Sequence, residues 1–320
     1  MRRGVERQRD FAEALLPEEV GRDEVLERVD ALIDRGALEA VCKDIYAAPV
    51  GRPSYPLRLL IKAMLVQAWW DLSDPKAEQL LRNDLRFRRF LGVGLTGKTP
   101  DRNTLWRFRD ELAKRGLAEA LLGEVDRQLR ARDLVMRRGS IVDATLVRSA
   151  ASSKNRRRDG TPVDRDADWA ARRKSDPTLG YKLHAAVDED TGIVRRIALT
   201  PASRHERTVA EAVVPGDVGR VWADAAYDAR DLRDGLGARG ITAVIAHNPR
   251  RRGLRPWQRA ANFVVKTVRP RIEPVFGSLK RSFGLARARC FSLARNLVDT
   301  TFRVLAFDLR RAVGLSPPAT

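Results

Sequence analysis

The spacing of apolar residues divides the chain into two parts. From Arg22 to about Arg132, apolar residues recur every three or four positions, which predicts helices with one buried face. After a first stripe that runs to Leu38, further helices are predicted from Pro56 and over Pro75–Leu91, Arg102–Ala113 and Leu117–Arg132. Asp101 stands where a helix N-cap is expected. This part of the chain is therefore predicted to be all helical.

Short apolar runs replace the helical pattern after Gly139. Strands are predicted over Ser140–Leu146, Tyr181–Val187, Gly192–Leu199, Arg220–Ala223 and Ile241–Ala246. Helices are predicted over Arg204–Val213 and Ala229–Ala238, and from about Pro270 to Val313. A hairpin followed by alternating helices and strands is typical of an α/β domain with a mixed sheet. We predict two domains, residues 1–135 and 136–320, with a long polar loop at 147–178 in the second.

The charge of the chain indicates a polyanionic partner. There are 61 Lys and Arg residues against 42 Asp and Glu, a net charge of +19, and the pI is near 10.9. Residues 250–311 contain 16 basic and three acidic residues, and a second basic cluster extends from Arg148 to Lys174. Nucleic acid and an anionic membrane surface both fit this balance. A partner bound through phosphates predicts an affinity that falls steeply with salt.

A membrane location is disfavoured by the apolar pattern. The longest apolar stretch lies around Ala63–Trp70 and is interrupted by Lys62 and Asp71, so it is too short to cross a bilayer. The first twenty residues lack the apolar core of a secretory signal. Two isolated cysteines, Cys42 and Cys290, fit a reducing compartment. We expect a cytoplasmic, nucleoid-associated protein that does not bind membranes.

Three carboxylates stand in unusual surroundings. Asp143 lies within the apolar strand Ile141–Thr145, and Asp224 ends the apolar run Val221–Ala223. Glu273 is the only acidic residue between positions 250 and 298. A buried carboxylate needs a partner or a metal ion. With a basic surface nearby, hard oxygen ligands favour Mg²⁺ or Mn²⁺ chemistry on phosphodiesters, in which two ions about 3.5–4 Å apart assist an in-line displacement.

Several motifs together resemble one known family. The motifs are Tyr55–Leu60 through Leu85–Arg88, Pro100–Arg109, the strand that contains Asp143, Gly180–His184 with Val187 and Asp188, and Ala223–Asp228. Over roughly residues 15–312 the chain is similar to bacterial insertion-sequence transposases of the DDE class, in the group typified by insertion sequence 5. The hairpin residues match "GYKlh…vD", and Ala223–Asp228 resembles "aDkgYds".

The chain departs from the family pattern at two places. The family usually has His-Asp after the segment that begins Thr200-Pro201-Ala202, whereas this chain has His205-Glu206. The family's Tyr, Arg, Glu and Lys signature is matched by Arg269, Glu273 and Lys280, but Lys266 occupies the tyrosine position. Only 48 residues separate the second and third carboxylates, too few for the β-rich insertion of some relatives.

The resemblance implies a fold, a site and a reaction. The fold is a ribonuclease-H-like mixed-sheet catalytic domain preceded by an all-helical N-terminal domain for DNA binding and dimerisation. Asp143, Asp224 and Glu273 would be the catalytic residues and the ligands of two Mg²⁺ or Mn²⁺ ions. Water would attack a phosphodiester at the element end, and the freed 3′-hydroxyl would attack target DNA. The partners implied are double-stranded DNA, as element ends and target, and further copies of the chain in a homodimer or higher oligomer.

Basic residues near the carboxylates are candidates for holding DNA. Arg269 and Lys280 lie four residues before and seven after Glu273, so helical spacing puts all three near one face. The predicted DNA-binding residues are Arg269, Lys280, Arg281, Lys182, Arg107 and Arg109. The last two belong to the helical domain, which is the candidate for recognising terminal inverted repeats. Trp257, in the basic C-terminal region, is a candidate for base stacking.

Three alternative interpretations stay open at this point. His184, His205 and His247 offer zinc ligands, although they are scattered and no cysteine pattern joins them. A ribonuclease-H-like nuclease or resolvase would keep the carboxylates and lack strand transfer. A DNA-binding regulator without catalysis is disfavoured because all three carboxylates are present.

Overall fold

The computed structural model describes residues 15–46, 54–152, 154–170, 177–249 and 253–316. The chain forms two compact units: residues 1–128 with 298–320, and residues 129–297. The basic residues at 172–174 and 250–252, which contribute to the predicted clusters, lie outside the described residues. In the described part of the chain, no helix is long and apolar enough to cross a membrane.

The first unit is helical, as the apolar spacing predicts. Its helices are α1 (Glu24–Leu32), α2 (Arg35–Val41), α3 (Leu57–Trp69), α4 (Asp74–Asn83), α5 (Leu85–Leu91), α6 (Arg102–Lys114) and α7 (Ala118–Arg130), whose last two residues belong to the second unit. Helix α3 is the centre of this unit, since every residue in it except Arg58 is buried. Asp101 caps α6 as expected, with its carboxylate accepting a hydrogen bond from the Thr104 N–H at 2.6 Å.

One predicted helix is divided in two. The prediction of a continuous helix over Pro75–Leu91 is wrong at Asp84, where the backbone is extended. The Asp84 carboxylate accepts a hydrogen bond from the Arg86 N–H at 2.9 Å and thereby caps the start of α5. Apolar periodicity continues across the break, because both helices bury residues such as Leu81 and Phe87.

Arg109 is part of the interior of the helical unit. Its side chain is only 1% exposed, and the guanidinium donates to Asp74 at 2.8 and 3.2 Å and to Gln67 at 2.8 Å. The prediction that Arg109 binds DNA is wrong, because the group is buried and paired inside the fold. Arg107, on the opposite side of α6, is exposed and keeps its predicted role.

The second unit is built on a mixed sheet. Its strands are β1 (Gly139–Arg148), β2 (Asp168–Ala170), β3 (Thr178–Asp188), β4 (Val194–Pro201), β5 (Arg220–Ala223) and β6 (Thr242–Ile245). The order across the sheet is β4-β3-β1-β5-β6, with β2 beside β3 just before the stretch that pairs with β4. β1, β3 and β4 are antiparallel, whereas β1, β5 and β6 are parallel. This topology confirms the ribonuclease-H-like fold.

Helices and short turns follow the strands. The helices are α8 (Ala210–Val213), α9 (Arg230–Ala238), α10 (Pro256–Val268) and α11 (Glu273–Ser282), and α12 (Leu293–Leu315) continues from this unit into the first. Short 3₁₀ turns lie at Glu206–Thr208, Ala225–Tyr227 and Arg269–Ile272. Three differences from the sequence prediction appear here. Residues 204–213 form a turn and a four-residue helix, α10 was not predicted, and β2 lies within the predicted loop.

Gly180 explains why the hairpin motif begins with glycine. This residue lies on β3, opposite Arg148 of β1. A Cβ atom at Gly180 would overlap the carbonyl oxygen of Val147, so no other residue fits without moving the backbone. The following Tyr181 is fully buried, and its hydroxyl donates to Asp164 at 2.5 Å, which fastens the segment after β1 to the sheet.

The C-terminal residues belong to the helical unit. The predicted boundary assigns them to the second domain, whereas the described residues from 298 to 316 belong to the same compact unit as the helices before residue 129. Leu309 of α12 lines a small apolar cavity together with Val29 and Ile33. Arg28 donates to the carbonyl oxygen of Val313 at 2.6 Å. The helical unit is therefore assembled from both ends of the chain.

We predict that Arg109→Ala destabilises the protein by about 3 kcal/mol, because it leaves Asp74 and Gln67 without their buried cationic partner. Arg107→Ala, a matched loss of one arginine from the same helix, is expected to change stability by less than about 0.5 kcal/mol. Urea unfolding of both variants measures the difference. Equal stability of the two variants would contradict the buried role of Arg109.

Candidate active site

Strand pairing brings two of the three predicted carboxylates side by side. In the parallel pair of β1 and β5, Gly139 lies opposite Arg220 and Ile141 opposite Trp222. Two residues further along each strand are Asp143 and Asp224. Because parallel strands run in the same direction, these acids reach the same region of the sheet as β5 ends.

Both aspartates accept a hydrogen bond from a neighbouring backbone N–H group. Asp143 is 7% exposed, and its Oδ1 accepts from the Ala144 N–H at 2.8 Å. Asp224 follows the last residue of β5 and caps the turn Ala225–Tyr227, where it accepts from the Ala226 N–H at 2.9 Å. These local bonds fix the carboxylates on rigid elements.

Glu273 comes to the same place from a helix. It is the first residue of α11, which is anchored by the buried side chains of Ile272, Val275 and Leu279. The Glu273 side chain is 64% exposed, in contrast to the buried Asp143. It is therefore the carboxylate with the most freedom to move.

The guanidinium of Arg269 lies among all three carboxylates. Its Nη2 is 2.8 Å from Asp143 Oδ2 and 3.7 Å from Asp224 Oδ2, and its Nη1 is 3.9 Å from Glu273 Oε1. In the described ranges, no three acidic, histidine or cysteine side chains stand close enough to hold a metal ion as they are. The three carboxylates instead surround the guanidinium of Arg269.

Asp143 is not fully compensated by this cation. Burial raises its pKa from the ordinary 3.8 to about 6, and the charges of Asp224 and Glu206 act in the same direction. Arg269 and the Ala144 N–H lower the pKa but do not offset the burial. The Arg269 guanidinium therefore neutralises the negative charge of the site only in part.

Two further side chains, those of Glu206 and Tyr227, are electrostatically coupled to the site. The Glu206 carboxylate lies 3.3 Å from the Lys182 ammonium, which also donates to the Arg204 carbonyl oxygen at 2.9 Å. The hydroxyl of Tyr227 is buried and has no hydrogen-bond partner among the described residues. The departure from the family pattern at His205-Glu206 was the one sequence signal that marked this position.

The three histidines do not form a zinc site in the described part of the chain. His184 is fully buried, its Nε2 lies 3.0 Å from the Thr200 hydroxyl, and burial lowers its pKa to about 4. His205 caps the turn at Glu206–Thr208, and His247 packs edge-on against Trp257. These contacts give the three histidines separate structural roles.

Two family models match the chain. The model described as "Transposase domain (DUF772)" matches residues 14–111, and the model described as "Transposase DDE domain" matches residues 136–309. The second match covers more than half of the chain. The chain belongs to the transposase DDE domain family. A solved structure of the piggyBac transposase synaptic complex with hairpin DNA is similar over 90% of this chain and 73% of that chain, at 8% sequence identity and a TM-score of 0.42.

Membership of this family establishes the class of reaction. The protein is a transposase that acts on DNA, and DDE transposases depend on divalent metal ions. The residues around Arg269 fit such ions in their chemistry, because all three are hard oxygen donors and all three already surround a positive charge. Asp143, Asp224 and Glu273, the metal ligands predicted from the sequence, therefore offer donor atoms of the kind that such ions prefer.

The basic residues predicted to bind DNA differ in their surroundings. Arg281 is exposed, Lys280 is half-buried, and both belong to the last turn of α11. Lys182 is 14% exposed and paired with Glu206, so its ammonium is less accessible to DNA than the sequence prediction assumed. Trp257 is 57% exposed and lines a cavity with Arg230, Arg255 and His247, which suits a stacking role.

We predict that Asp143→Asn stabilises the metal-free transposase at pH 8. The raised pKa means that ionising Asp143 costs more in the folded than in the unfolded chain, so stability is lost as pH rises from about 4 to about 6. Removing the charge should recover on the order of 2 kcal/mol at pH 8 and nothing near pH 4. Denaturant unfolding in a metal chelator at both pH values measures this.

Asp231→Asn is the control for this experiment, because Asp231 is an exposed aspartate on α9. The control should change stability little at either pH. A loss of stability in Asp143→Asn at pH 8 would show that burial of this carboxylate is fully compensated by Arg269.

Proposed function

We propose that this transposase belongs to the group typified by insertion sequence 5, and that it binds the terminal inverted repeats of its element and cuts and joins DNA with Asp143, Asp224 and Glu273 as ligands of two Mg²⁺ or Mn²⁺ ions. The observation that carries the proposal is the position of Arg269 within 4 Å of all three carboxylates. Three acids from β1, β5 and α11 converge on one cation, in a chain whose net charge is +19.

The divalent ions, when bound, supply activation of the attacking oxygen and stabilisation of the leaving oxygen. The protein itself fixes the positions of the carboxylates that would hold these ions. Asp143 and Asp224 are fixed by the sheet and by backbone N–H groups, so they define where positive charge is held. Glu273 is exposed and reaches the site from the first turn of α11.

Arg269 has a second role once the carboxylates hold metal ions. Its guanidinium would then be released from Asp143 and would be able to donate two parallel hydrogen bonds to phosphate oxygens of the DNA. Lys280 and Arg281, in the last turn of α11, extend the positive surface away from the carboxylates. Arg269 would therefore contact the carboxylates in the metal-free protein and the DNA phosphates once the carboxylates hold ions.

The remaining parts of the proposal concern recognition and assembly. Arg107 is exposed on α6, so the helical unit presents a basic helix face for the inverted repeats. Trp257 provides an aromatic surface for a base. We propose that the transposase acts at the nucleoid as a homodimer or higher oligomer that pairs two element ends.

The test uses a linear duplex that carries the terminal repeats flanking the gene, a supercoiled target plasmid and Mg²⁺. The transposase should release 3′-hydroxyl ends and join them to the plasmid. Asp143→Asn, Asp224→Asn and Glu273→Gln should each reduce both products to background, because each removes one anionic ligand. Gel analysis of labelled ends measures cleavage and joining separately.

Asp231→Asn serves again as the matched control and should cut and join as the unchanged protein does. Cleavage without any joined product would support a nuclease or resolvase and contradict the strand-transfer step. Full cleavage by Asp143→Asn or Glu273→Gln would contradict the assignment of these carboxylates.

A further inference from the structure

A fourth carboxylate, that of Glu206, is near enough to Asp143 for its charge to raise the pKa of that residue. Glu206 begins the 3₁₀ turn Glu206–Thr208, which packs against the turn Ala225–Tyr227 that follows Asp224. Its side chain is 25% exposed, and the Lys182 ammonium is 3.3 Å away. The chain from β4 therefore brings an acid to the same end of the sheet as Asp224.

An open cavity connects Glu206 with the strand that holds Asp143. The cavity has a volume of about 280 Å³, and its lining includes Ala144, Thr145, Lys182 and Glu206. Ala144 is the residue next to Asp143, and its N–H is the hydrogen-bond donor to that carboxylate. Glu206 therefore faces an open cavity that also borders the residues of β1 directly after Asp143.

The hydroxyl of Tyr227 gives a second, independent indication. The side chain is 1% exposed, and its hydroxyl oxygen is buried without a hydrogen-bond partner among the described residues. Burial raises the pKa of Tyr227, and the charges of Asp143, Glu206 and Asp224 raise it further. A neutral phenol close to three carboxylates has a free donor for an oxygen atom held there.

We infer that Glu206 is a positioning residue for the divalent ion held by Asp143, acting on that ion from the cavity beside β1, with the Tyr227 hydroxyl as donor to the oxygen atoms gathered between them. The inference rests on the proposed function, because it assumes that Asp143 binds the ion. Lys182 holds Glu206 in the metal-free protein and competes with the ion for its carboxylate.

The pairing with Lys182 allows this role to be separated from a purely structural one. If Glu206 served only as an ion-pair partner of Lys182, loss of either residue would have the same consequence for the site. If Glu206 positions the ion, removing its carboxylate weakens ion binding, whereas removing the competing ammonium strengthens it. The two substitutions therefore have opposite predicted signs.

The experiment is a titration of the full chain with Mn²⁺ alone, followed by the electron paramagnetic resonance signal of free Mn²⁺. Glu206→Gln should weaken binding about tenfold, in the range found when outer-shell partners of metal ligands are removed. Glu206→Asp should restore most of the affinity, because it keeps the carboxylate. Lys182→Met should bind Mn²⁺ more tightly than the unchanged protein.

Glu211→Gln is the matched control, since Glu211 is an exposed glutamate five residues further along the chain. Affinity in Glu206→Gln equal to that in Glu211→Gln would overturn the inference while leaving the proposed function intact. Absence of Mn²⁺ binding in the unchanged protein would instead contradict the proposed function. Should Glu206→Gln melt at a much lower temperature, Lys182→Met still decides, because weaker or unchanged binding in that variant contradicts competition by the ammonium.

Discussion

The candidate site depends on one arrangement of charge: a guanidinium held among three carboxylates. Asp143, Asp224 and Glu273 come from a central strand, the end of a neighbouring strand and the start of a helix, and mutual repulsion opposes bringing them together. Arg269 offsets part of that repulsion in the metal-free chain. The raised pKa of Asp143 shows that the offset is incomplete, because burial outweighs the single cation. A site in this condition favours the binding of further positive charge.

The fold explains why this arrangement forms at one place. The parallel pairing of β1 and β5 fixes the register that sets Asp143 beside Asp224. The antiparallel hairpin of β3 and β4 brings Lys182 and Glu206 to the neighbouring edge. Buried apolar residues on α11 then hold Glu273 near Asp143 and Asp224.

Much of this could be predicted from the sequence, for identifiable physical reasons. The positions of Asp143 and Asp224 could be predicted because a charged residue in an apolar strand is costly without a function. The helical unit could be predicted from its periodicity. Arg109 was assigned wrongly because a helical pattern shows which face a residue is on, whereas its buried partners Asp74 and Gln67 come from other helices. The division of the chain could not be predicted either, since the hydrogen bond from Arg28 to the Val313 carbonyl oxygen joins residues 285 positions apart. Glu206 was not predicted as a site residue. The turn that contains it lies where the sequence departs from the family pattern.

The central claim is that the carboxylates around Arg269 are the metal site of this transposase. A crystal structure of the chain soaked in Mn²⁺, with anomalous scattering data, tests it most directly. The account predicts an anomalous peak in contact with Asp143 and Asp224, and a guanidinium of Arg269 that has left the Asp143 carboxylate. Mn²⁺ bound elsewhere, with the contact between Arg269 and Asp143 intact, would contradict it.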